Sequence, residues 1–112
     1  MLFKLSLLTC LVPFAAGLIL NTPANAVSGE SMIVSWVAAP DDPNFALLIN
    51  NEGFSSPVFL PDDANIDPHA SSEITVSLVD FPARSGYWLE ARNVTELAII
   101  YAESAQFTIT AA

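Results

Sequence analysis

This sequence has almost no positive charge. Three of its 112 residues are Lys or Arg, against twelve Asp or Glu, for a formal charge of −9 with His neutral. Without a basic patch nothing offsets phosphate charge, so neither nucleic acid nor an anionic membrane surface is an expected partner. There is one cysteine, Cys10, so no internal disulfide can form. There is one histidine, His69, in "DPHAS", and no Gly-rich elbow near a serine. A triad needs a base oriented by a carboxylate together with an oxyanion hole, so nucleophilic catalysis is not expected and His69 reads as a loop residue.

The first residues, "MLFKLSLLTCLVPFAAGLIL", do not read as part of a fold. Lys4 supplies a positive n-region, Leu5 to Ala16 an apolar h-region, and Ala15-Ala16-Gly17 the small residues of a cleavage site. A signal peptide over 1–17 is expected, leaving a mature chain of 18–112. "ANA" at 24–26 is the other candidate cleavage site, set apart from the h-region by Asn21 and Pro23. As a membrane anchor the run is short, and Ser6, Thr9 and Pro13 break it. Cleavage removes Cys10 and Lys4. Arg84 and Arg92 then remain as the only strong bases of a secreted, acidic chain.

The rest alternates in short apolar runs between clusters of Pro, Asp, Asn and Gly, with no helical period. Strands are predicted over 18–22, 30–38, 45–50, 56–61, 72–81 and 87–93, with one bulged or broken strand in 96–110. Met32, Val34 and Trp36 share an inward face, as do Ile74, Val76 and Leu78. Ala105, Phe107 and Ile109 are expected inward at the end. The prolines around 56–61 suit an edge strand. About seven strands with regular turn signals predict a single all-β domain. A two-sheet, immunoglobulin- or fibronectin-like sandwich is the expected architecture, with a small barrel as the alternative.

Tyr87 and Trp88 are neighbours, so in a strand they point to opposite faces. Tyr87 groups with Leu89 and Ala91, an apolar face. Trp88 groups with Glu90 and Arg92, a polar one. Tyr87 is therefore expected in the core and Trp88 outside. "FPARSGY" (81–87) resembles the corner of fibronectin- and immunoglobulin-type sandwiches, in which a tyrosine hydroxyl bonds back to the upstream backbone. Trp88, Glu90 and Arg92 form the candidate binding surface, because an aromatic flanked by polar groups can stack on a sugar or anchor a protein contact.

Other chemistry fares less well. Asp63, Asn65 and Asp67 open like a calcium loop, but Pro68 stands where the turn needs Gly and Ile74 where the loop needs Glu. A looser site drawing on Asp62 or Asp41 is the remaining metal reading; a solvated Asp/Asn turn is the simpler one, and no metal or cofactor is assigned. Twelve acids make a pair of carboxylates uninformative for glycoside hydrolysis. Asn93-Val94-Thr95 is a glycosylation sequon.

"LNTPANAVSGESMIVSW", "SGYWLEA" and the closing "AESAQFTI" together resemble the N-terminal domain of fungal cell-wall synthesis proteins of the Kre/Knh type. That domain also heads Ser/Thr-rich, GPI-anchored wall proteins. The likeness spans about residues 18 to 110, with Trp36, Tyr87, Phe107 and Ile109 on the family's core positions. It implies a secreted, wall-associated sandwich linked to β-1,6-glucan assembly, without catalytic residues. Its implied partners are cell-wall polysaccharide or another secreted or wall protein. The sequence ends at Ala112 without a Ser/Thr-rich stalk or apolar tail, so a free secreted domain is expected rather than an anchored one.

Overall fold

The computed structural model describes residues 17–60 and 65–112. All of the expected signal peptide but Gly17, including Lys4 and Cys10, lies outside the described residues, as do Asp62 and Asp63. Among the described residues eight strands run in chain order: β1 (Ile19–Leu20), β2 (Ser31–Val37), β3 (Phe45–Asn51), β4 (Val58–Phe59), β5 (Glu73–Ser77), β6 (Arg84–Asn93), β7 (Glu96–Glu103) and β8 (Phe107–Ile109). They form two antiparallel sheets. One has the order β1-β2-β5; the other has the order β4-β3-β6-β7, with β8 also pairing β6. The architecture is the expected all-β sandwich.

Alternation builds the core from both sides. Met32, Val34 and Trp36 of β2 are buried while Ser31, Ile33 and Val37 are exposed. From the wider sheet come Phe45, Leu47 and Ile49 of β3 and Tyr87, Leu89 and Ala91 of β6. Phe107 and Ile109 join from β8. Trp36 stands edge-on to Phe45, ring centroids 5.3 Å apart, and its indole N–H donates to the Pro68 carbonyl at 3.2 Å. A buried indole needs such a partner, and the loop before β5 provides it.

Several boundaries differ from the predicted ones. The strand predicted over 72–81 stops at Ser77, because the Leu78 amide turns to the Glu30 carbonyl and Phe81 closes a turn on Leu78. Leu78 is nevertheless buried, as expected. The strand predicted from Tyr87 begins at Arg84. Gly86, at φ +84°, lies in a register shift against β8 that only glycine adopts without strain. The 96–110 segment breaks at Ser104. Its amide donates to the Leu89 carbonyl, and its hydroxyl accepts from the Leu89 amide at 2.9 Å. That insertion shifts the alternation by one, so Ser104 takes the inward place and Ala105 is exposed, contrary to the expected inward Ala105.

Candidate functional site

β6 is flanked by β3 along one edge and by β7 and β8 along the other. Its outward side chains therefore sit among those of neighbouring strands. In register, Trp88 lies opposite Asn50, Glu90 opposite Leu48, and Arg92 opposite Ala46. Leu48 and Ala46 are themselves buried, although they point away from the inter-sheet core.

This overturns the expected wet face. Glu90 is 2% exposed, and Trp88, though the more exposed member of its pair with the buried Tyr87 as expected, is itself half-buried. The three predicted residues are nonetheless brought together, with the Glu90 carboxylate as the hub. One oxygen takes the Arg92 guanidinium, in an ion pair of 2.6 Å and a hydrogen bond from Nε of 2.8 Å. The other accepts the Trp88 indole N–H at 2.8 Å and the Asn50 amide at 3.3 Å. Arg92 is fixed further by donating to the Leu97 carbonyl at 2.8 Å. A carboxylate this deeply placed needs such partners, because an unpaired buried charge is costly. Alternation correctly grouped these side chains; that Glu90 would be covered depends on strands far away in sequence.

Beside this hub is an open cavity of about 330 Å³ lined by Trp88, Glu103, Ser104, Ala105 and Gln106. Sequence reasoning singled out only Trp88 among them as a site residue, and expected Ala105 in the core. The others arrive through the break between β7 and β8, which carries no motif. The Ser104 hydroxyl is already engaged in bridging Leu89 and the Ala105 carbonyl. Glu103 and Gln106 are exposed, and Gln106 donates to Glu52 at 3.3 Å.

Asn93 ends β6 at the tip of the β6–β7 hairpin. Its side-chain oxygen accepts from the Thr95 amide and hydroxyl, each at 2.9 Å, and from the Glu96 amide at 3.1 Å. The sequon is thus folded on itself in an Asx-type turn, with Thr95 exposed.

The other polar candidates serve the loops. The His69 Nε2 donates to the Asp42 carbonyl at 2.9 Å, which fixes the tautomer, since a carbonyl only accepts. The Asp42 carboxylate accepts the amides of Gly17 and Ala39 at 2.7 and 2.6 Å. Asp67 accepts the His69 amide, and Asn65 accepts from Asn44. Among the described residues, no three His, Cys, Asp or Glu side chains converge as a metal site would require. No family model matches this sequence, and no curated protein was found similar to it.

Proposed function

We propose that this chain is a secreted, non-catalytic fungal wall module that associates with cell-wall β-glucan through the outer face of β6. The wall assignment rests on the Kre/Knh-like sequence pattern, whose positions Trp36, Tyr87, Phe107 and Ile109 are core residues of the sandwich. The observation that carries the reading is Trp88. Its indole N–H is tied to Glu90, which fixes the ring at the side of an open cavity with Glu103 and Gln106. A fixed aromatic ring presents an apolar face to the C–H face of a pyranose, and polar side chains beside it can bond to hydroxyls. A neutral glucan also suits a chain of formal charge −9, made more negative by the loss of Lys4, which would repel anionic polysaccharides.

The test is co-sedimentation of the secreted protein with insoluble β-1,3- and β-1,6-glucan. Trp88→Ala weakens binding while the protein remains folded. A folded Trp88→Ala protein that sediments like the parent removes Trp88 from the site.

A second reading, a protein-interaction module without glycan binding, has its own observation. On the outer face of the narrow sheet, Ile19 and Val37 are register partners at 58% and 56% exposure, and Ile33 is 57% exposed. A flat apolar row suits a protein partner better than a sugar. Capture of a secreted protein that is lost in Ile33→Glu, with no glucan retention, favours this reading.

A further inference from the structure

Asp42, in the turn between β2 and β3, is 7% exposed. A carboxylate so well covered needs a countercharge, because burying a lone charge is costly. Among the described residues no side chain supplies one. The ion pair found there joins Arg92 to Glu90. Arg84 lies against the β3–β4 turn, its Nη1 3.0 Å from where a Cβ on Gly53 would stand. The His69 ring bonds the Asp42 carbonyl, not the carboxylate. What the carboxylate holds is two backbone nitrogens, those of Ala39 at 2.6 Å and Gly17 at 2.7 Å. The first bond closes the turn locally. The second reaches back 25 residues in sequence.

Gly17 is fitted to this contact. A Cβ there would come within 2.6 Å of the Ala39 Cβ, far inside the roughly 3.5–4.0 Å at which carbon atoms pack, so glycine is required. The next residue, Leu18, is a core residue at 6% exposure, and Ile19 opens β1. Gly17 itself is exposed, as a chain end can be.

We propose that the secreted chain begins at Gly17 and that its α-ammonium is the countercharge of Asp42. This rests on reading the preceding segment as a signal peptide. Hydrolysis breaks the bond between the Ala16 carbonyl carbon and the Gly17 nitrogen. Water gives its hydroxyl to the carbon and its hydrogen to the nitrogen, and the freed amine takes a proton from solvent at neutral pH. The nitrogen that donates as a neutral amide thereby becomes a cation in the same place, and its bond to Asp42 becomes charge-assisted. Ala16 supplies a small residue directly before the cut. The sequence by itself favours the next bond, which has Ala15 and Gly17 at the two small positions where this one has Phe14 and Ala16. That later cut discards the residue that packs on Ala39 and reaches Asp42. The earlier cut keeps it and creates the positive charge that Asp42 otherwise lacks.

The first test is the intact mass of protein secreted from a eukaryotic host without an N-terminal tag. A mass beginning at Gly17 is expected. One beginning at Leu18 or Val27 overturns the proposal and leaves the signal-peptide reading standing; one beginning at Met1 overturns both. The second test addresses the ion pair. With Lys4 gone the chain has no lysine, so amine acetylation reaches the α-amine alone. Acetylation removes the charge and keeps an N–H. It should raise the unfolding equilibrium constant, read from urea denaturation, about tenfold. Asp42→Asn should do the same, and acetylating Asp42→Asn should add little, because both changes break one interaction. Circular dichroism verifies folding; acetylation alters no side chain and carries the test if Asp42→Asn does not fold. No loss of stability on acetylation, or losses that add in full, overturns the proposal.

Discussion

The hydroxyl of Tyr87 donates to the carbonyl of Pro82, five residues upstream, across 2.8 Å. The bond closes the corner through which the chain enters β6, while the ring stacks near Phe107, centroids 6.0 Å apart. Tyr87→Phe keeps the ring and orphans the carbonyl. The expected cost is about 1–2 kcal/mol, read as a lower denaturant midpoint with an unchanged slope.

The same residue sets an alkaline limit. Burial pushes the Tyr87 hydroxyl above its usual pKa of 10.0, outweighing the nearby Arg84, which lowers it. The folded state thus holds this proton more tightly than the unfolded chain. The resulting stability is full below pH 10 and is lost as the pH rises through the raised folded value. A tyrosinate also cannot donate to Pro82. Above pH 10 the parent protein should lose stability more steeply than Tyr87→Phe, as measured by urea midpoints at rising pH. Parallel losses would show that Tyr87 does not govern the alkaline transition.

Trp36 is 4% exposed, edge-on to Phe45 and bonded to Pro68. Trp36→Ala opens a cavity between the sheets at a cost of about 3–5 kcal/mol, which a domain of this size without a disulfide has little margin to absorb. The thermal midpoint is the measurement. An unchanged value means that the inward face of β2 is misassigned.

Glu90→Ala removes the acceptor shared by Arg92, Trp88 and Asn50 and leaves a cation without its partner. The expected loss is about 3–5 kcal/mol. The paired change Glu90→Leu with Arg92→Met removes both charges and should recover much of it, since an apolar pair avoids the desolvation cost. Chemical denaturation of the three proteins checks this. A double variant no more stable than Glu90→Ala would mean that the ion pair itself, rather than the avoidance of a lone charge, is what stabilises β6.

Secreted protein should carry a glycan on Asn93, at the hairpin tip. Intact mass before and after glycosidase treatment tests it. Thr95→Ala removes the glycan and the hydroxyl's bond to the Asn93 side chain, while the amides of residues 95 and 96 keep theirs. The accompanying destabilisation is about 0.5–1.5 kcal/mol. An unmodified parent mass refutes the assignment.

Local rules determined much of this protein from the sequence alone. Period-two alternation placed Met32, Val34 and Trp36 inward, and likewise Tyr87, Leu89 and Ala91, because the pleat sends successive side chains to opposite faces. Prolines marked the β4 edge, since proline cannot donate to a ladder. The scarcity of basic residues described the electrostatics without any fold. What alternation cannot supply is what lies over a face. Glu90 and Arg92 read as solvated charges, yet β6 is flanked on both edges, and the neighbours in register cover Glu90. The break at Ser104, which exposed Ala105, depends on hydrogen bonds to Leu89, fifteen residues away.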